Sequence, residues 1–317
     1  MAENNVDQVI VKEAEAVQQP ETPKKRVRIG FIFLAVTPIA ALISIQSMCQ
    51  MPFLFLTSIY ITQNGLAEGI TDPAEGTALI MKVFNERYGF YAYMAYAAVS
   101  LITFSLWYYF GIVRRNPKVK ISQVFGVKSV LATIGAVIGL NFVITAGFVL
   151  AQYLFPSVMD SYAELMNASG LGSNALITIV YGIVLGPVFE ELCCRGLCFG
   201  YLEKSGIKPI FMILISGILF GAMHLNLVQG IYASLLGFML GFLRYKYRSI
   251  LITIFMHILF NIMGTYGDQM IEKLHPSDGV TLILGGLSLF LLVFVIVLIN
   301  GDKKAVHALP KNTEDLS

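Results

Sequence analysis

Charged side chains are scarce in this sequence. Its 317 residues include 22 lysines and arginines and 20 aspartates and glutamates, a charged share of 13%, about half the roughly 25% of an ordinary soluble domain. Hydrophobic residues make up 56%, and the mean hydropathy is +0.71. A soluble globule of this size cannot bury so much apolar surface. The composition therefore excludes a soluble enzyme, a secreted disulfide scaffold and a disordered chain, and it predicts an all-α, polytopic membrane protein.

Cysteine and histidine are also few. The cysteines, Cys49, Cys193, Cys194 and Cys198, all lie in apolar runs and lack the paired CxxC spacing of a zinc site or the pattern of a disulfide framework. The net charge of +2 is too small to indicate a nucleic-acid partner. Because the sequence contains only four histidines, any histidine inside an apolar segment is informative.

The apolar residues fall into eight segments, each near or above the roughly 20 residues that a bilayer requires. They cover about residues 31–62, 88–113, 126–155, 174–203, 207–225, 228–245, 249–266 and 279–300. We therefore predict a bundle of about eight transmembrane helices. It forms a single domain over residues 29–300, between a disordered tail at 1–28 and a second cytoplasmic tail at 301–317.

The basic residues indicate the orientation of this bundle. They concentrate in the two tails and in alternate loops, whereas the remaining loops contain only Lys82, Arg87 and Lys273. Loops rich in lysine and arginine stay in the cytoplasm. The asymmetry therefore predicts that both termini are cytoplasmic, which an even number of spans also requires.

Three of the apolar segments contain polar side chains that lipid disfavours. They are Glu190, Glu191 and Arg195 in the fourth segment, His224 in the fifth, and His257 and Asn261 in the seventh. An ionisable group inside a span costs at least roughly 2.5–3.5 kcal/mol, so each is a candidate for a functional site. The fourth and fifth segments form a hairpin near residues 205–206, and equal offsets along antiparallel helices lie at similar depths. We expect the three motifs to meet in one intramembrane cavity.

Helical spacing suggests different roles for these residues. Glu191 and Arg195 are four residues apart on one face, which favours an ion pair. Glu190 points about 100° away around the helix and has no local cation, so it is the carboxylate available for chemistry. His257 and Asn261 also share a face. A carboxylate, two imidazoles and an amide are suited to activating water and stabilising an oxyanion.

The same motifs resemble a known family of membrane proteins. Glu190-Glu191-x-x-x-Arg195, Phe220-x-x-x-His224 and His257-x-x-x-Asn261 are similar, in order and spacing, to the signature of the CAAX prenyl endopeptidase and bacteriocin-processing family, also called CPBP or Abi. The resemblance covers about residues 174–265, which would form the protease core. It implies an intramembrane endopeptidase built as a helical bundle.

The resemblance also implies a role for each motif residue. Glu190, helped by His224, would be the general base that activates water, and His257 and Asn261 would stabilise the oxyanion. Glu191 and Arg195 would brace the site.

The family has been described both as metal-dependent and as metal-independent. Glu190, His224 and His257 could form a two-histidine, one-carboxylate set for Zn²⁺ or another divalent metal, with water in the fourth position. The sequence contains no HExxH motif. We favour a water-activating Glu/His site and keep the metal site as an alternative.

The expected partners follow from the same resemblance. They are membrane lipids and a peptide or protein substrate, either lipidated or a precursor such as that of a bacteriocin, and the cavity would open to the cytoplasm beside the basic loops. The alternative function is a non-proteolytic transporter or a scaffold with a polar intramembrane ligand site. The absence of an inverted repeat counts against a transporter, and the intact set of catalytic-type residues counts against a scaffold.

Overall fold

The structure is a computed structural model that describes residues 27–115, 120–168, 175–267, 273 and 276–302. Helices dominate these residues, and none of them forms a β-strand. The predicted all-α fold is confirmed. Most of the two predicted tails lies outside the described residues. The division into one transmembrane domain and two tails stays a prediction.

The helices are numbered here in chain order. They are α1 (Ile29–Leu34), α2 (Thr37–Gln63), α3 (Pro73–Arg87), α4 (Gly89–Gly111), α5 (Ile121–Val124), α6 (Val127–Leu154), α7 (Pro156–Ala168), α8 (175–205), α9 (Pro209–Ala222), α10 (Leu227–Tyr247), α11 (Ile250–Ile262) and α12 (Asp278–Asn300). α8 contains two π-helical stretches, Thr178–Leu185 and Leu192–Cys198, and α11 continues as the π-helical stretch Met263–Gly267. Such π-helical turns occur frequently at functional sites.

Six helical units among the described residues are long and apolar enough to cross a membrane. They are α1 together with α2, α4, α6, α10, α11 with its π-helical extension, and α12. These units coincide with six of the eight predicted segments. The other two predicted segments correspond to α8, which the π-helical stretches interrupt, and to α9, which has 14 residues. The polytopic helical bundle is confirmed, whereas the count of eight and the cytoplasmic termini stay predictions.

α9 and α10 pack so closely that their contact requires glycine. A Cβ atom on Gly221 would collide with the hydroxyl of Ser234 and with the backbone carbonyl of Gly230. A Cβ atom on Gly237 would lie 2.8 Å from the Cα of Gly217. Small residues permit this approach between membrane helices. As a result, the backbone of α10 comes within hydrogen-bonding distance of side chains on α8.

We expect Gly221→Ala to destabilise the bundle, because the backbone carbonyl of Gly230 can yield only if α10 moves. Overpacking of this kind typically costs about 1–3 kcal/mol, and thermal unfolding of the detergent-purified protein would measure the loss. Gly286→Ala in α12 is the matched control, since nothing lies within 4 Å of the added Cβ. Equal melting temperatures for the two variants would contradict the close contact between α9 and α10.

Two turns position the polar motifs along the chain. Gly206 ends α8 with a φ of 77°, and α9 begins at Pro209, so the predicted hairpin is present. Beyond α9, Leu225 has a φ of 54°, which is strained for a residue with a side chain. The side chain of Asn226 then caps α10 by accepting the N–H of Gln229 at 2.9 Å. His224 therefore lies in a tight turn between α9 and α10.

Candidate active site

A buried ion pair on α8 forms the base of the site. Arg195 Nη1 donates to Glu191 Oε1 at 2.9 Å, and both side chains are fully buried. Arg195 Nη2 donates to the carbonyl of Gly237 on α10 at 3.1 Å, and its guanidinium lies 4.3 Å from the ring centroid of Phe220 on α9. The ion pair expected from helical spacing is therefore present, and it also connects α8 to two other helices.

His257 on α11 lies between the two adjacent carboxylates. Its Nδ1 is 3.1 Å from Glu191 Oε1, and its Nε2 is 3.7 Å from Glu190 Oε2. The shorter distance is a hydrogen bond, whereas the longer one exceeds the usual range for such a bond. Because Glu191 already pairs with Arg195, it acts as the acceptor and Nδ1 carries a proton. The remaining nitrogen of His257 faces Glu190.

Glu190 and Glu191 differ in exposure as well as in partners. The Glu190 side chain is 19% exposed, whereas the Glu191 side chain is completely buried. Their different orientations on the helix explain the contrast. Of the two, Glu190 is the carboxylate that a small molecule such as water can reach.

Three tyrosines lie near Glu190, and no sequence motif marks them as part of the site. Tyr96, Tyr181 and Tyr232 lie within electrostatic range of its carboxylate. The ring of Tyr96 on α4 packs against Phe189 with centroids 5.1 Å apart, which places α4 beside the site. The spacing of the tyrosines along α4 does not distinguish a site residue from one at the membrane interface. Only the packing of the helices shows that Tyr96 lies at the site.

The two imidazoles pack against one aromatic ring. The ring centroids of His224 and His257 lie 5.3 and 5.4 Å from that of Phe220, both in edge-to-face geometry. His224 Nδ1 donates to the carbonyl of Phe220 at 2.9 Å. That hydrogen bond leaves Nε2 of His224 as the nitrogen that can accept a proton, and His224 and His257 both lie within electrostatic range of Glu190.

Asn261 connects α11 to the first π-helical stretch of α8. Its Nδ2 donates to the carbonyl of Gly182 at 2.8 Å. An amide nitrogen carries two hydrogens, so one N–H remains for another acceptor. Asn261 therefore holds two helices together and still has a donor one turn from His257.

The chemistry of three of these residues suits a divalent metal, although their spacing is wide. Metal-binding histidines usually donate their other N–H to a carboxylate or a backbone carbonyl, and His224 and His257 both do so. With Glu190, they offer two nitrogens and one carboxylate. Among the residues that the structure describes, one group of three potential ligands (histidine, cysteine, aspartate or glutamate) has its ligand atoms within 4.8 Å of one another, and that group consists of cysteines. Glu190, His224 and His257 are therefore spread more widely than this.

Comparison with known proteins identifies the family of this segment. Residues 172–263 match the family described as "Type II CAAX prenyl endopeptidase Rce1-like". This segment includes every polar motif residue described above. The predicted family resemblance is confirmed. No solved structure matches the chain.

A curated relative of this chain comes from Bacillus subtilis (strain 168) and is named "Putative membrane peptidase YdiL". The two proteins are 31% identical over 122 residues, which cover 36% of this chain and 47% of the relative. The chain therefore aligns with about half the length of this relative. Together with the six apolar helical units, the two matches support an integral membrane protein.

One cavity lies close to the turn that contains His224. It has a volume of about 530 Å³ and lies between α7 and the first turn of α10. Tyr162 lines it, and the Tyr162 hydroxyl is 3.5 Å from that of Tyr232, one of the tyrosines near Glu190. The cavity lies at the end of α9 away from Gly206, about 21 Å along that helix. Under the predicted orientation this end is not cytoplasmic, so this cavity is not the predicted cytoplasmic opening.

Proposed function

We propose that this chain is an intramembrane endopeptidase that hydrolyses a peptide bond with water activated by Glu190 and His224. The observation that supports this most is the position of His257 between two carboxylates of unequal exposure. The buried one, Glu191, holds the imidazole at 3.1 Å, and the accessible one, Glu190, lies 3.7 Å from its other nitrogen. A carboxylate that orients an imidazole is a recurring feature of hydrolytic sites, and here it leaves Glu190 as the accessible base.

In the proposed reaction, Glu190 accepts a proton from water, and the water oxygen attacks the carbonyl carbon of the scissile bond. Nε2 of His224 accepts a hydrogen bond from the same water and helps to orient it. When the tetrahedral intermediate collapses, Glu190 returns the proton to the leaving amine. The carboxylate therefore acts first as a base and then as an acid, and no proton is gained or lost overall.

The oxyanion in this proposal is stabilised by groups on α11. His257, whose Nδ1 is held by Glu191, donates through Nε2 to the developing negative charge. The free N–H of Asn261, one helical turn further on, donates to the same oxygen. Arg195 keeps Glu191 ionised, and Glu191 keeps His257 in the required orientation.

For the substrate, we propose a membrane-associated peptide or protein, either lipidated or a peptide precursor. A soluble peptide would have to enter a site whose polar residues lie among apolar helices, whereas a lipid-anchored or apolar substrate reaches that depth by partitioning into the bilayer. Prenylated substrates and bacteriocin precursors are both included in this proposal.

The most direct test incubates detergent-purified protein with membrane-associated candidate peptides, with and without a prenyl group, and reads the products by mass spectrometry. An endopeptidase releases two fragments whose masses add to that of the substrate plus one water. A transporter or a ligand-binding scaffold leaves every peptide intact, and that result with a folded protein would contradict the proposal.

The metal alternative uses the same residues. Zn²⁺ would be held by Glu190, His224 and His257, and it would supply Lewis acidity at the scissile carbonyl. Without a metal, Asn261 has a larger role, because it is one of two oxyanion donors. We propose the metal-free site, since an amide one turn from His257 is well placed as a donor and is a poor zinc ligand.

In the metal-free site, Asn261→Ala should lower kcat by roughly 100- to 1000-fold, as the loss of one oxyanion donor does, with little change in KM. Activity should also persist after treatment with a chelator. Asn141→Ala is the matched control, because Asn141 also donates to a backbone carbonyl, that of Val137, at 2.9 Å. Its kcat should stay near the wild-type value.

The zinc alternative predicts the opposite chelator result. Activity would disappear with the chelator and return with Zn²⁺, and stoichiometric zinc would be absent from His224→Ala. That outcome would replace the metal-free mechanism and leave the peptidase assignment in place.

A further inference from the structure

Three cysteines lie close together on α8, in the same stretch of helix as Arg195. Cys193, Cys194 and Cys198 are completely buried, and their Sγ atoms lie within 4.8 Å of one another. A fourth sulfur completes the cluster, since Sδ of Met223, the residue that follows α9, lies 3.9 Å from Cys194 Sγ. The proposed peptidase mechanism uses none of these four side chains.

The second π-helical stretch explains why the thiols converge. In a regular α-helix, residues five apart point in clearly different directions. In a π-helix, hydrogen bonds join residues i and i+5, so Cys193 and Cys198 point to one side. Cys194, four residues before Cys198, joins them there. The stretch Leu192–Cys198 contains all three cysteines.

The sulfur separations fit a single small cation. Two sulfurs that bind one ion at about 2.3 Å each lie about 3.8–4.0 Å apart, and Cys194 and Met223 already have that separation. The remaining thiols need to move inward by less than about 1 Å to reach it. Free buried cysteines often serve only as small apolar side chains, but that role does not require three of them to point at one another and at a thioether.

We propose that Cys193, Cys194, Cys198 and Met223 form a binding site for one Cu(I) ion. Thiolate and thioether ligands are soft and select soft cations. A closed structural zinc site requires four ligands from cysteine, histidine or a carboxylate, and among the described residues no fourth side chain of these types joins the three thiols. Cu(I) binds two or three sulfur ligands, and one of them can be a thioether. The three cysteines and Met223 therefore supply enough ligands for Cu(I).

The negative charge of bound thiolates must also be offset. Each cysteine that binds as thiolate releases its proton, which leaves negative charge in an apolar interior. Arg195 lies in the same stretch of helix, within electrostatic range of the thiols of Cys194 and Cys198. Its positive charge offsets part of that cost. The site would cross-link α8 and α9 beside His224 and stabilise the hairpin that supports the motif residues.

The test measures copper in the intact protein. Cells that express the chain are grown with added copper salt, the protein is purified in detergent without oxygen, and copper and zinc are measured by elemental analysis. We expect about one copper per wild-type chain, bound as Cu(I), and near-complete loss in Cys194→Ser. Cys49→Ser is the matched control, because Cys49 is on α2 outside the cluster, and it should retain the wild-type amount.

A second variant covers the case in which Cys194→Ser fails to fold. Met223→Leu keeps the side-chain volume and removes one sulfur, so it should lose copper to a Cu(I) chelator at lower concentrations than the wild type does. A folded wild-type protein without copper would overturn the proposal. Stoichiometric zinc in place of copper, or equal copper loss in Cys49→Ser, would overturn it as well.

Discussion

Glu190→Gln should abolish peptide cleavage while the protein still accumulates and unfolds at nearly the wild-type temperature. The amide has the shape of the carboxylate but cannot accept a proton from water, and a general base typically contributes roughly 100- to 10,000-fold to the rate. The side chain has no direct hydrogen bond to His257, since the nearest distance is 3.7 Å. Its replacement therefore breaks no hydrogen bond to that imidazole. Turnover by mass spectrometry and thermal unfolding would measure the two effects separately.

Glu203→Gln is the matched control for that variant. Glu203 is also on α8, and its carboxylate pairs with Arg244 at 3.2 Å, while Arg244 Nε donates to the backbone carbonyl of Arg195 and not to any motif side chain. We expect this variant to cleave peptides at close to the wild-type rate. If Glu190→Gln retained activity, or if both variants lost it equally, Glu190 would not be the base.

Glu191→Gln should have the larger effect on stability. It leaves the guanidinium of Arg195 buried without its anionic partner, and breaking one side of a buried pair costs about 3–5 kcal/mol. It also removes the charge that holds the Nδ1 proton of His257, so activity should fall even in the fraction that folds. Thermal unfolding and the yield of folded protein would measure the loss of stability. The specific activity of the folded fraction would measure the loss of catalysis.

A double variant separates these two consequences. Glu191→Gln combined with Arg195→Met removes both charges, so no buried charge is left without its partner. The melting temperature should therefore recover, whereas cleavage should not, because a neutral amide does not supply the charge that holds the Nδ1 proton of His257. Recovery of activity together with stability would show that Glu191 braces the fold and has no effect on the imidazole.

Contacts within one helix were predictable from the sequence. The ion pair between Glu191 and Arg195 follows from their spacing of four residues, and the unequal exposure of Glu190 and Glu191 follows from their orientations. The hairpin after α8 and six of the eight apolar segments also follow from local signals, namely glycine, proline and runs of apolar residues.

Contacts between helices were not predictable in this way. The hydrogen bond from His257 to Glu191 joins residues 66 apart in the chain, and that from Asn261 to Gly182 joins residues 79 apart. Motif order suggests that such helices meet, but the atoms that touch depend on rotation and tilt, which apolar patterns do not specify. The π-helical stretches were missed for a related reason, since periodicity was interpreted at 3.6 residues per turn.

The buried network also determines the order in which this chain can enter a bilayer during its synthesis. α8 carries Glu190, Glu191 and Arg195, and an ionisable group in a span costs at least roughly 2.5–3.5 kcal/mol. Its partners on other helices come later, since Gly237 follows Arg195 by 42 residues and His257 follows Glu191 by 66. α8 therefore gains its full stability in lipid only after α10 and α11 have been made. We therefore expect α8 to α11 to insert into the bilayer together, after α11 has been made. The purely apolar spans can instead insert one helix at a time.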